Sequence, residues 1–210
     1  MTTIKTIDLL AINEYAKAIK QNNLIIIGNM MIGLDNIKTY ITYIDNIVIS
    51  DDYTNIIFTK RELSAFVKTI SHETEFEITS DNTIKSLVSE MKINYVDRRL
   101  SLELPKYLSI INKYCYIQQG EDITDDLANL FAMKKPDGMF KYIYESYNRK
   151  YFMTLYSGLL PVNKNDKVHL NIVVDTNING IFTTKFTIVK KKVNGKSITV
   201  NIIMSFLNLV

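Results

Sequence analysis

Apolar residues recur at helical spacing near the start of the chain. They are Leu9, Ile12, Ala16 and Ile19. Lys17 and Lys20 lie between them, on the polar side of the amphipathic helix that this spacing predicts over residues 8–21.

A second amphipathic helix is predicted over residues 60–70. Thr59 and Glu62 have the spacing of a capping box, in which the two residues satisfy the free N–H groups at a helix start. The apolar stripe of this helix consists of Leu63, Phe66, Val67 and Ile70. Lys60, Ser64 and Lys68 recur every four residues on another side of the helix.

Short apolar runs of strand character surround this second helix. Residues 24–57 contain three such runs, punctuated by glycines and by Asp/Asn pairs, which predicts antiparallel strands. The runs after the helix cover residues 75–79, 88–96 and 100–104, and the last of them alternates strictly between apolar and polar residues. The pattern predicts that a first domain ends near residue 104.

The segment 105–120 is predicted to connect two domains. It begins with Pro105, ends with Gly120 and is rich in apolar and aromatic residues, which favours an extended linker or an edge strand. The predicted organisation is therefore a domain over 1–104, a connector over 105–120 and a shorter domain over 121–210.

The second domain is predicted to begin with an acidic amphipathic helix. Its apolar stripe consists of Ile123, Leu127, Leu130 and Phe131, and its first turn contains Asp125 and Asp126 after Asp122. Residues 139–144 have strand character.

A further helix is predicted after Asn148, which is a good helix-capping residue. The apolar stripe would consist of Phe152, Leu155, Tyr156 and Leu159. Arg149 and Lys150 would lie in the first turn, and Pro161 would end the helix.

The last part of the chain is predicted to form an antiparallel meander. Apolar and polar residues alternate over 168–174, 182–188 and 198–206. Asn-Gly pairs at 179–180 and 194–195 are preferred two-residue hairpin turns. The whole pattern predicts an α+β protein of two similar units, each with helices packed on antiparallel sheet.

Composition narrows the class of protein. A chain of 210 residues with 47% hydrophobic and 22% charged residues can bury a core, which argues against disorder. The net charge is only +3, so affinity for polyanions has to come from local placement of charge. Cys115 is the single cysteine, and no apolar run approaches the about 18 residues that span a bilayer. We therefore expect a soluble intracellular protein.

The sequence contains no recognisable catalytic motif. His72 and His169 are isolated from each other and from other metal-ligating residues. No glycine-rich phosphate-binding loop and no nucleophile elbow is present. We expect a protein that is not an enzyme and needs no cofactor or metal.

The order of helices and strands resembles the sliding-clamp family, the ring-forming processivity factors of DNA polymerases, and in particular its two-domain type. The strongest local likeness covers residues 54–68 and 75–79, which resemble the strand, second helix and returning strand of a clamp's first domain. The resemblance implies a non-catalytic homotrimeric ring around duplex DNA, with a DNA polymerase and a clamp loader as partners. The abundance of Ile, Asn, Lys and Tyr, with no Trp, points to an AT-rich genome. With the clamp resemblance, we expect a viral source.

The resemblance also implies which residues bind DNA, because a clamp holds phosphates through basic helix faces without reading bases. The matching residues are Lys17, Lys20, Lys60, Arg61 and Lys68 in the first unit, and Lys134, Lys135, Arg149 and Lys150 in the second. Taken one at a time, a basic residue on the polar side of an amphipathic helix is usually only solvated, and the joint placement of these residues is what supports the hypothesis.

Clamps recruit partners by docking a short peptide in an apolar groove below the connector. The residues that would line it here are Tyr107, Leu108, Ile110, Phe206, Leu207 and Leu209, for which ordinary core packing is the alternative. Two other functions fit the sequence: a viral tail or head protein that forms β-rich rings, and an auxiliary transcription factor with a clamp-like fold.

Overall fold

The computed structural model describes residues 2–34, 40–50, 53–70, 75–79, 83–85, 90–92, 98–117, 120–134, 136–146, 148–158, 160, 162–174, 181–191 and 197–207. Helices and antiparallel sheets are both present, which confirms the predicted α+β class. The chain forms two compact units: residues 1–38 with 42–108, and residues 39–41 with 109–210.

Unit 1 contains two antiparallel sheets. The first has the order β1-β6-β7-β8, formed by β1 (Thr2–Lys5), β6 (Glu75–Ile78), β7 (Thr83–Lys85) and β8 (Glu90–Lys92). The second has the order β5-β2-β3-β4, formed by β2 (Asn23–Gly28), β3 (Met30–Leu34), β4 (Tyr40–Ile44) and β5 (Tyr53–Thr59). The first two residues of β4 are assigned to unit 2. The runs near residues 24–27, 39–43, 75–79 and 88–96 contribute antiparallel strands, as predicted. The strands predicted at residues 47–49 and 100–104 are wrong, because residues 47–49 join no sheet and residues 100–104 lie in a helix.

Two helices of unit 1 contact each other, α1 (Thr6–Ala18) and α2 (Lys60–Thr69). Both were predicted, and α1 ends earlier than expected because the backbone of Ile19 is already extended. Thr59 caps α2, as predicted. The Thr59 hydroxyl accepts a hydrogen bond from the Glu62 N–H at 3.2 Å and donates one to the Glu62 carboxylate at 2.6 Å.

Helix α3 (Arg98–Tyr114) runs through the segment predicted to be extended, so that prediction is wrong. Tyr107, Ile111 and Tyr114 are buried at intervals of four and three residues, which is the period of a helix rather than of a strand. Pro105 lies inside α3, where it lacks an N–H for the helical hydrogen bond. The two units divide within this helix, after Leu108.

Unit 2 contains a sheet of the order β14-β13-β12-β9 and one helix that packs on β12. Its elements are β9 (Glu121–Asp122), α4 (Thr124–Ala132), β12 (Lys167–Val174), β13 (Ile181–Lys191) and β14 (Ser197–Leu207). The three long strands pair antiparallel with their sequence neighbours, as the predicted meander requires. The two Asn-Gly turns lie outside the described residues.

A two-stranded hairpin replaces the helix that was predicted after Asn148. Strand β10 (Met139–Ser146) pairs with β11 (Arg149–Tyr156) along their full length. Tyr151, Met153 and Leu155 are buried, and the residues between them face outward, so burial has a period of two. Asn148 has a positive φ of 60° and belongs to the turn, a conformation that asparagine tolerates well. The helix prediction failed because apolar residues occupy both faces of β11.

The two units differ in element order. Unit 1 has a helix, four strands, a second helix and three further strands between β1 and α3. After α3, the described part of unit 2 has α4 as its single complete helix, and β10 to β14 follow it without a second one. The repeated order that the sequence pattern predicted is therefore not present in the described residues.

Candidate nucleic-acid interface

The outward face of α2 presents two basic side chains. Leu63 and Phe66 are buried, so the opposite side of the helix faces solvent. Arg61 and Lys68 are both exposed on that side. They lie on the same side of the helix because seven residues make almost two full turns. Their Cα atoms are separated by about 10 Å along the helix axis. The small residues Ser64 and Ala65 lie between them and leave both side chains accessible.

Arg61 and Lys68 are available for an external anion. In the part of the chain that the structure describes, neither side chain forms an ion pair with a carboxylate. The acidic residue of the same helix, Glu62, interacts with the hydroxyl of Thr59 at the helix start.

Lys60 has a different environment, at the junction of α1 and α2. Its ammonium group donates a hydrogen bond to the Ile19 carbonyl at 2.6 Å, and its backbone N–H donates to the Asn22 carbonyl at 2.7 Å. Burial lowers the pKa of Lys60, and the positive charge of Lys20 lowers it further. Because Ile19 caps the C-terminal end of α1, where the helix dipole is negative, Lys60 stabilises the end of that helix.

The outward side of α1 is not uniformly basic. Lys17 forms an exposed ion pair with Glu14 at 2.5 Å. Ile7 and Leu10 lie on the same side and are 69% and 45% exposed. Lys20 is exposed beyond the end of α1, near enough to Lys60 to affect its pKa. Of the two lysines predicted on this helix, only Lys20 lacks an ion pair within the described residues, and it adds positive charge near the start of α2.

The structure does not bring the predicted basic residues of unit 2 onto one helix face. Lys134 is exposed just after α4, and Lys135 lies outside the described residues. Arg149 and Lys150 lie on strand β11, so their predicted place in the first turn of a helix is wrong. Lys150 also forms an exposed ion pair with Glu145 at 2.9 Å.

The surface at the start of α4, in unit 2, is acidic. Asp125 and Asp126 are exposed in the first turn of α4. The Tyr142 hydroxyl donates a hydrogen bond to the Asp126 carboxylate at 3.3 Å. Burial, followed by the charge of Asp126, raises the pKa of Tyr142 far above its usual value. Such a surface repels phosphate, so α4 is a poor counterpart of α2.

The residues predicted to form a partner groove are partly core residues. Tyr107 is buried, and Leu108 and Ile110 are half-buried on α3. Phe206 is half-buried and its ring stacks on that of Phe182, with the ring centroids 5.5 Å apart. The side chain of Leu207 and the whole of Leu209 lie outside the described residues. The groove itself stays a prediction.

The histidines and the cysteine are the remaining candidates for metal binding or catalysis. His169 is half-buried on β12, and His72 lies outside the described residues. Cys115 is a free thiol that donates a hydrogen bond to the Asn112 carbonyl at 3.3 Å. Within the described ranges, no group of three or more His, Cys, Asp or Glu side chains is arranged to hold a metal ion. No helix in those ranges has the length and apolar character needed to cross a membrane.

No protein-family model matches the sequence, and no curated protein matches it either. Among solved structures, the chain is similar to a DNA polymerase sliding clamp from Bacillus subtilis, with 13% identity and a TM-score of 0.48 over 99% of this chain and 64% of that chain. It is also similar to a sliding clamp from Pseudomonas aeruginosa, with 9% identity and a TM-score of 0.43 over 99% and 66% of the two chains. A third similar structure is the DNA polymerase III beta subunit of Thermotoga maritima, with 12% identity and a TM-score of 0.39 over 99% and 64%.

These structures belong to the family that the sequence resembles. The chain spans 64% to 66% of their lengths.

Proposed function

We propose that this protein binds duplex DNA without reading its sequence and acts, without catalysis, as a processivity factor for a DNA polymerase. The observation that carries this proposal is the outward face of α2. Arg61 and Lys68 lie there two turns apart, with small side chains between them and no ion pair to a carboxylate in the described residues.

The arrangement suits phosphate contacts rather than base recognition. Long cationic side chains on an open helix surface reach phosphate oxygens, which carry no sequence information. Each contact releases counterions from the DNA, so affinity falls as salt rises. Lys20 adds a third exposed cation near the start of α2. A protein held in this way is free to move along a duplex of any sequence.

The proposal includes assembly into a ring. Strand β5 (Tyr53–Thr59) is the edge of its sheet in the described part of unit 1, and an edge strand can pair with another subunit. We propose a homotrimer that a clamp loader places on DNA, and a viral source for the protein. Leu108, Ile110 and Phe206 retain accessible surface for docking of the polymerase.

The remaining basic residues have a smaller part in the proposal. Lys17 and Lys150 already pair with acids, and Lys60 caps a helix. Lys134, Lys135 and Arg149 would contribute general positive charge.

The test is the salt dependence of DNA binding. The double variant Arg61→Gln/Lys68→Gln is compared with the wild type by fluorescence anisotropy, on two duplexes of equal length and unrelated sequence. We expect the wild type to bind both duplexes equally. The double variant should bind both more weakly. The absolute value of the slope of log affinity against log salt, called the salt slope below, should fall by about 1.8, since each lost phosphate contact contributes about 0.9.

A matched control removes two exposed lysines that belong to no proposed contact, Lys141→Gln/Lys164→Gln. This control should retain the wild-type slope. Binding of the α2 variant with wild-type affinity and slope would overturn the proposed function.

A further inference from the structure

Helix α3 repeats the sequence pattern of the basic face of α2. Residues 61–68 read Arg-Glu-Leu-Ser-Ala-Phe-Val-Lys, and residues 106–113 read Lys-Tyr-Leu-Ser-Ile-Ile-Asn-Lys. Both segments begin and end with a basic residue, and both have Leu-Ser at their third and fourth positions. The seven-residue spacing places the two basic residues on one side only if the segment is helical, as α3 is.

The two basic residues of each segment lie on an outward face of their helix. Lys106, Ser109 and Lys113 are exposed on α3, whereas Tyr107 and Ile111 are buried. Like Arg61 and Lys68, the two lysines are seven residues apart, so they also lie about 10 Å apart along one side of their helix. A small serine again lies between them.

The two lysines of α3 lack a carboxylate partner among the described residues, as the basic residues of α2 do. Neither Lys106 nor Lys113 forms an ion pair in the described ranges. The ammonium group of Lys113 lies 5.3 Å from the centroid of the Tyr114 ring. That ring is buried, and its hydroxyl donates a hydrogen bond to the Thr183 hydroxyl at 3.3 Å. A fixed aromatic ring thus supports the cation at the surface without neutralising it.

The other two helices lack this arrangement. The outward side of α1 carries Ile7, Leu10 and the Glu14–Lys17 ion pair. The outward side of α4 carries Asp125 and Asn129. Among the described helices, α2 and α3 are therefore the two that present a pair of unpaired basic residues two turns apart.

We infer that α3 is a second phosphate-binding helix, with Lys106 and Lys113 as its contacts to the DNA backbone. This inference rests on the proposed function, and it replaces Arg149 and Lys150 as the counterpart of the α2 residues. The ligand is the sugar-phosphate backbone of a duplex, since exposed lysines and arginines on a helix face reach phosphate oxygens, which carry no sequence information.

The test uses the full chain and the same two duplexes. In Lys106→Gln/Lys113→Gln, the salt slope should fall by about 1.8 on both duplexes, as for the α2 variant. Lys106→Arg/Lys113→Arg keeps the charge and should keep the wild-type slope. Thermal unfolding of each variant verifies that it is folded, and the Lys141→Gln/Lys164→Gln control should again retain the slope.

The outcomes separate this inference from the proposed function. If the α2 variant lowers the slope and the folded α3 variant does not, the inference is wrong and the proposed function stands. If neither variant lowers the slope, both are wrong. If both do, the fourfold variant should lower the slope by about 3.6, because the two pairs act at separate places.

Discussion

Lys60 shows that a basic residue on a helix can have a structural role even when its neighbours are candidates for binding. The sequence groups it with Arg61 and Lys68, but its ammonium group donates to the Ile19 carbonyl at the end of α1. No feature of the sequence distinguishes this contact, because it joins residues 41 positions apart and depends on how α1 and α2 pack.

We expect Lys60→Met to lower the free energy of unfolding by about 1–2 kcal/mol, because the variant leaves the Ile19 carbonyl without its charged donor. The salt slope of DNA binding should stay unchanged. Urea unfolding and the anisotropy series measure the two quantities. Lys68→Met is the matched comparison and should show the opposite pattern, with unchanged stability and a slope lower by about 0.9. A lower slope with unchanged stability for Lys60→Met would contradict the role assigned to it.

The helices and strands that the sequence predicted correctly are those whose local signals agree with one another. For α2, the capping box of Thr59 and Glu62 and the stripe with Leu63 and Phe66 indicate the same helix, and the structure contains it. The alternation of apolar and polar residues likewise predicted β12, β13 and β14, and the structure contains these strands.

The predictions for two elements, β11 and α3, were wrong because their local signals conflict. Strand β11 has apolar residues on both faces, since Phe152 and Tyr156 remain exposed opposite the buried Met153 and Leu155. Its composition therefore fits a helical stripe as well as a strand. In α3, Pro105 and the alternating residues 100–104 favoured an extended segment, and the packing of Tyr107 and Ile111 overrides them. The basic pair on α3 was missed for the same reason.

The start of α4 provides a test that depends on pH. The backbone N–H and the hydroxyl of Thr124 donate to the Asp122 carboxylate at 3.0 and 2.5 Å, and these hydrogen bonds lower the pKa of Asp122. Because the folded-state pKa lies below the unfolded one, the stabilisation is present above the unfolded pKa and is lost as pH falls through the folded pKa.

We therefore expect Asp122→Asn to be less stable than the wild type at pH 7, and the difference should shrink as the pH falls below the usual range for an aspartate. Urea unfolding of both proteins from pH 7 down to pH 3 measures this. A difference that is constant over the whole range would show that the carboxylate charge does not contribute.

For the whole molecule, the sequence predicted the class of fold but not its internal symmetry. The two units both combine helices with antiparallel sheet, yet unit 2 has a hairpin where a second helix was expected. The candidate DNA interface changes accordingly. Arg61 and Lys68 on α2 remain candidate DNA contacts. The basic residues predicted in unit 2 do not share a helix face, and Lys106 and Lys113 on α3 replace them in our proposal.

Retention on circular DNA is the most direct test of the proposed ring. Dissociated subunits are mixed with a nicked circular duplex and concentrated so that rings can close around it. The complex is then separated by gel filtration in about 1 M salt, where exposed charges interact over about 3 Å only. Mass photometry at the same salt concentration gives the number of subunits in the ring.

We predict a trimer that co-elutes with the circle and is released when a single cut makes the DNA linear. A protein that leaves circular and linear DNA at the same salt concentration would contradict the account.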